Sequence, residues 1–225
     1  MQADPHSVQN LAADPAQRET LARMRAALAQ RVAANLDNGF LPEGSPLEGY
    51  EASHAPGAFP IARVFALANL ASERNAANLP QFVAALGDPS EPMRWWAAQG
   101  CAMLRGQAAP AEAALRARLA DASGAVQIAA AEALARLGKT DAALPVLEKW
   151  IRQDNPRAFA IQAGNVLDRL GEAARPSLPA IKAALAQARA IQDVSATGEN
   201  ITVRILTRVA DVLEGRQQPL VYPGK

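Results

Sequence analysis

Asp recurs at positions 88, 121 and 154, each 33 residues from the next, and each opens the same phrase: a short turn, an apolar run, then a Gly. Counted from the Asp, Met93, Val126 and Phe159 share one position, and Ala97, Ala130 and Ala163 a second. Cys101, Leu134 and Leu167 share a third, and Leu104, Leu137 and Leu170 a fourth. The steps between these positions are four, four and three, the spacing of one buried helix face. A period of this length marks a stack of small units, none of which can bury its apolar face alone. Such stacks present surfaces more readily than they assemble catalytic clusters.

Composition narrows the class. Half of the 225 residues are apolar, aromatics are few, and Ala is abundant. Ala suits tightly packed helices and is a poor strand former. The expected fold is therefore all-α. Net charge is +1, with both signs interspersed, which gives no field suited to nucleic acid or an anionic bilayer. One Cys excludes an internal disulfide framework. No apolar stretch is long enough to span a bilayer. Met1-Gln2-Ala3-Asp4-Pro5 has neither the basic nor the apolar region of a signal peptide, so none is expected.

Along the chain, Asp14-Pro15 reads as a cap and first helical residue. A helix over 15–36 follows, with Leu21, Met24, Leu28, Val32 and Leu36 along one face. Residues 37–59 form a long loop rich in Gly, Pro and Ser, of the kind that crosses between substructures. Four helix pairs are expected at 61–72 and 79–86, 90–105 and 110–120, 123–137 and 141–153, and 156–170 and 175–188. Gly106, Gly138 and Gly171 are expected to close first helices in a left-handed conformation. Pro80, Pro110, Pro145 and Pro179 are expected to open second helices, where a missing N–H does no harm. Residues 189–199 are polar. A last amphipathic helix over 200–214 turns Ile201, Ile205, Leu206, Val209, Val212 and Leu213 to the stack, and residues 216–225 form a loose tail.

The phrase Val126 to Gly138, V-Q-I-A-A-A-E-A-L-A-R-L-G, resembles the short HEAT-like repeat, in which Ala-Ala permits close helix crossing and Leu-x-x-Leu-Gly ends the helix. The expected architecture is an all-α, HEAT-like α-solenoid of about four helix pairs over 60–188, with a preceding helix and a terminal capping helix over 200–215. Residues 39–59 and 189–199 are its linkers.

A second resemblance lies before the repeats. Asp4 to Pro15, D-P-H-S-V-Q-N-L-A-A-D-P, then Leu21 to Leu28, L-A-R-M-R-A-A-L, looks like the C-terminal end of the bacterial sulfatase family, with Ser7 where Glu is usual. Asp37 to Glu43 continues the likeness. Met93 to Gly100 and Ala174 to Lys182 look like phrases from a branch similar to arylsulfatases and heparan N-sulfatases that carries HEAT-like repeats behind its catalytic domain. The resemblance implies that residues 1–38 are a sulfatase tail and closing helix, and that the whole is an accessory region following a catalytic core. It implies a periplasmic or extracellular parent that uses calcium and formylglycine. An independent HEAT-repeat adaptor for another protein stays open beside it.

Ser90-Glu91-Pro92-Met93-Arg94 fits the C/S-x-P-x-R pattern of the sulfatase nucleophile literally. Ser90 nevertheless occupies the repeat position of Ser123 and Pro156, and the Thr-Gly that follows the family's nucleophile is absent. A helix start is the expected role. Cys101 sits where Leu134 and Leu167 sit, so a small buried hydrophobe is expected. His6 and His54 have no ligand spacing. Arg116, Arg118, Lys149, Arg152 and Lys182 form a basic stripe diluted by Glu112, Glu148 and Asp141, which reads as solvated helix surface. Trp95 and Trp96 cannot share one helix face, so one is expected in an inter-repeat groove. No catalytic, cofactor-binding or metal-ligating residue is assigned. Expected partners are a sulfatase catalytic domain in cis, another protein, or a second copy through the Leu21–Leu36 stripe; nucleic acid is not among them.

Overall fold

Helix-forming Ala and Leu dominate the repeats, and punctuation by Asp, Pro and Gly cuts the chain into short helical segments. The computed structural model describes residue 8, residues 10–191 and residues 200–219, and all regular structure among them is helical. After α1 (Arg18–Asn35) and the short α2 (Tyr50–His54) come four pairs: α3 (Ile61–Ser72) with α4 (Leu79–Ala85), α5 (Glu91–Leu104) with α6 (Glu112–Arg118), α7 (Gly124–Arg136) with α8 (Thr140–Trp150), and α9 (Arg157–Leu170) with α10 (Leu178–Ala190). Helix α11 (Ile201–Leu213) closes the stack against α9 and α10. The fold is an all-α, HEAT-like solenoid.

The first helices of the pairs form one tightly packed layer, α3 on α5, α5 on α7 and α7 on α9. Ala97, Ala130 and Ala163 have no exposed surface, and Met93, Val126 and Phe159 are buried with them. Cys101, Leu134, Leu167 and Leu104 are buried too, while Leu137 and Leu170 are half-buried at helix ends. The 33-residue register therefore places the core correctly.

Local departures have identifiable causes. Gly138 and Gly171 do adopt positive φ, but Gly106 does not. The residue 33 before Gly138 is Arg105, and Arg105 takes the turn, with φ 53° and ψ −133° beside 55° and −127° at Gly171. Pro145 lies inside α8 rather than at its start, whereas Pro80 and Pro179 occupy first-turn positions as expected. Pro110 falls in the 3-10 segment Arg105–Ala111 that leads into α6. The 37–59 stretch contains α2 and a 3-10 turn at Asn38–Phe40. Ile201 is exposed, while Leu206, Val209 and Leu213 bury the inner face of α11. The loose-tail reading beyond Pro219, the 192–199 linker, His6 and most of the Asp4–Leu11 phrase lie outside the described residues.

Two substitutions test this register. Arg105→Gly relieves a conformation that suits Gly alone and is expected to raise stability by about 1 kcal/mol. Ala130→Leu overfills the α7 crossing and is expected to cost about 1–3 kcal/mol. Urea unfolding of both variants reads the signs, and an unchanged midpoint for Ala130→Leu contradicts the packing.

Candidate interaction surface

Repeat spacing also builds columns on the outward face of the first-helix layer. Trp95, Ile128 and Ile161 form one, Gln99, Glu132 and Asn165 a second, and Met103, Arg136 and Arg169 a third, each step being 33 residues. Trp95, Gln99, Ile128, Glu132, Asn165 and Arg169 line a cleft of about 260 Å³ between α5, α7 and α9. Leu41, Pro42 and Glu43 form its wall on the remaining side.

That wall is part of a strap. The Phe40 ring meets Phe65 of α3 edge-on at 5.2 Å, and the Trp96 indole N–H donates to the Phe40 carbonyl at 3.0 Å. Leu41 and Pro42 are buried. Ser45 Oγ donates to Glu91 Oε2 at 2.5 Å, and Gln162 of α9 donates to the Glu43 carbonyl at 2.9 Å across 119 residues. Gly44, at φ +80°, lies so close to Phe159 that a Cβ would stand 2.7 Å from its ring. The stretch read as a linker is thus packed along the first-helix layer from α3 to α9. Successive helix residues point about 100° apart, so Trp96 turns to the strap while Trp95 faces the cleft.

Glu132 is the polar centre of the cleft. It is only 4% exposed. Arg169 holds it with two hydrogen bonds, at 3.0 and 2.7 Å, and Arg136 with two more, at 3.1 and 2.8 Å. Burial pushes its pKa up, but the Arg169 hydrogen bond and charge, followed by those of Arg136, outweigh burial and hold it below the usual carboxylate range. Two guanidinium groups on one buried carboxylate fix the polar centre of the cleft in place. The sequence reading did not single out Glu132. The available signal was a Glu in an Ala-rich helix, with Arg four residues on and Arg again at 33 from that one.

The residues of the nucleophile-like phrase open α5 and tie it to its neighbours. The Asp88 carboxylate accepts the Ser90 N–H at 2.9 Å and starts the turn into α5. Ser90 Oγ is shielded and makes no hydrogen bond with the described residues. Glu91 joins the strap to Ser123 at the start of α7. Pro92 is a first-turn proline, and Arg94 grips Asp121 through two hydrogen bonds of 2.8 and 2.9 Å. The Cys101 thiol is buried in the core, which pushes its pKa up to about 12. His54 stacks on Tyr50 at 3.9 Å, away from the cleft lining. Among the described residues no group of three His, Cys, Asp or Glu is placed to hold a metal ion, and no helix is long and apolar enough to cross a membrane. The basic stripe is dispersed into separate contacts: Arg116 on Glu112, Arg118 on Asp121, Lys149 over the Trp150 ring, Arg152 on Asp154 and Lys182 on Glu214.

Residues 79–168, from α4 into α9, match the family model of HEAT repeats. Repeats of this kind serve as interaction surfaces and scaffolds. No curated protein and no solved structure matches the chain.

The charge pairs give the cleft a pH signature. Because the Glu132 carboxyl is depressed in the folded state, its stabilising contribution is present above the unfolded value of about 4.3 and is lost as pH falls through the folded one. Asp121 behaves alike, since burial raises its pKa but Arg94, the Ser123 N–H and Arg118 lower it further. Glu132→Gln is expected to cost about 1–3 kcal/mol at pH 7 and to flatten the acid limb of stability against pH. Urea melts at neutral and acid pH check this. A wild-type acid slope retained in the variant contradicts it.

Proposed function

We propose that this chain is a non-catalytic interaction scaffold whose binding surface is the outward face of α5, α7 and α9. The observation that carries the reading is the cleft beside Trp95. An aromatic face, two amides (Gln99 and Asn165) and a fixed Glu132–arginine cluster converge on a concave strip between repeats. Tightly held polar groups around an aromatic anchor suit a protein segment that lays one apolar side chain into the groove and hydrogen-bonds to the amides beside it.

The finer reading makes the scaffold an accessory region behind a sulfatase-like catalytic domain. It is supported by the phrases at 4–15, 21–28, 37–43, 93–100 and 174–182. In that setting calcium and formylglycine belong to the catalytic domain, and the repeats pack on it or extend its substrate surface. As an independent adaptor, the same cleft takes a segment of another protein.

Two measurements test the proposal. Supplied with calcium, a formylglycine-generating enzyme and a chromogenic aryl sulfate, this chain is expected to show no turnover. Activity lost on Ser90→Ala overturns that. A photo-crosslinking residue at Gln99 is expected to capture a defined partner in native extract, with capture lost on Trp95→Ala. Equal capture from Gln187 on α10 removes the cleft as the binding surface. An in-frame C-x-P-x-R motif upstream of Met1 selects the sulfatase reading over the adaptor.

A further inference from the structure

Among the described residues, helix α1 is buried against the solenoid at its C-terminal end. Val32 is buried and Leu36 half-buried against the core, whereas Met24 is 64% and Leu28 53% exposed. With half-buried Leu21 they form an i, i+3, i+7 row beside an apolar hollow that also includes Leu11. The helix carries Arg18, Arg23, Arg25 and Arg31 against Glu19 alone, and all four arginines are exposed. None of the four has an ion-pair partner among the described residues. Arginines of the solenoid, by contrast, are largely paired: Arg63, Arg94, Arg116, Arg118, Arg136 and Arg169 each hold a carboxylate.

The next stretch of chain has the opposite character. Residues 37–54 carry Asp37, Glu43, Glu48 and Glu51, all exposed, with no Lys or Arg. Tyr50 stands among them, 74% exposed. An apolar row edged by arginines without ion-pair partners and an exposed tyrosine near carboxylates without ion-pair partners complement one another; of those carboxylates, Asp37 and Glu48 also accept the Gly39 and Gly44 N–H groups.

We infer that two copies of this chain form a two-fold dimer in which α1 of each lies on the acidic Asp37–His54 face of the other. The symmetry needs only that one surface carry both halves of the contact. Side-by-side packing of the two α1 helices would instead set arginine rows against each other. A lipid surface suits α1 less well, because Arg18 and Arg25 project on the same side as Leu21 and Leu28 and break the apolar face. This inference stands on α1 and the acidic face, which shares Glu43 with the wall of the Trp95 cleft.

Sedimentation equilibrium of the full chain tests it. A dimer is expected at low ionic strength, at least ~10-fold weaker when salt rises from roughly 0.05 to 0.5 M. Arg18→Glu with Arg25→Glu, and separately Glu43→Arg with Glu51→Arg, are exposed changes expected to leave the thermal melt intact and give monomers. Mixing the two reversed proteins restores both contacts and is expected to return a heterodimer. A wild-type monomer at low salt, which leaves α1 to an unlike partner, overturns the inference. So does a dimer that ignores either pair of reversals, or a mixture that stays monomeric.

Discussion

The close approach of α7 to its neighbours is the constraint on which the rest of the structure depends. From Gly124 to Ala135 every residue of that helix is buried, because α5 and α9 flank it and α6 and α8 lie beneath. Only small side chains permit this. Ala125, Ala129, Ala130, Ala131 and Ala133 have at most 1% of their surface exposed. Gly124 sits where a Cβ would come within 2.8 Å of the Trp150 ring. A helix enclosed on all sides must also satisfy whatever polar groups it carries, since an unpaired buried amide or carboxylate costs several kcal/mol. Gln127 does so by donating to the Asp121 carbonyl at 2.6 Å and accepting from the Trp150 indole at 2.9 Å. Glu132 does so through Arg136 and Arg169. The fixed charge of the cleft is thus a consequence of the packing that surrounds it.

The recurring Asp has a job that follows from the same geometry. Asp121 sits at the junction of two units, 7% exposed, and takes Arg94 and Arg118 from the two helices of the unit before it and the Ser123 N–H that opens the next first helix. Arg63 reaches Asp88 from the preceding unit in the same way. The series stops there. Position 127, equivalent to Arg94, is Gln; like Arg94 it reaches back to the carbonyl of its own unit's Asp, but it spends its remaining acceptor on Trp150 rather than reaching Asp154. Asp154 is left at the surface with Arg152, and the third-to-fourth junction relies on Trp150 packed against Phe159 at 5.0 Å instead. An ionic joint has been replaced by an aromatic one within a single repeat array.

The layer of first helices was legible because buried positions in a repeat are chosen by volume and recur. Ala97, Ala130 and Ala163 announce a crossing whatever lies across it. What was not legible depends on contacts between residues far apart in sequence. Nothing local in Phe40-Leu41-Pro42-Glu43 says that it lies along helices up to 119 residues onward, and its lack of a period makes it read as a linker. The apolar row of α1 was legible, but not where its contact with the stack ends. Arg105 escaped because a residue forced into a glycine turn leaves no mark except its place in the repeat, which the nearby Gly106 obscured. Pro145 was misplaced for a related reason: an N-terminal proline and an interior one look alike until the helix start at Thr140 is seen.

The strap changes what kind of solenoid this is. A plain repeat array contacts only nearest neighbours, so its units open and close almost independently and its curvature is soft. Here one segment is bonded to α3, α5 and α9 together. Separating the fourth unit from the second would require breaking the Gln162 bond to Glu43 and the Gly44 contact with Phe159, as well as the interface with α7. The strap therefore ties the spacing of the first helices to its own length, and with it the width of the cleft beside Trp95. It also accounts for α1. With residues 37–48 held against the layer, α1 reaches the core through Val32 and Leu36. The remainder of α1 is directed away from the core by the same packing that makes the core rigid.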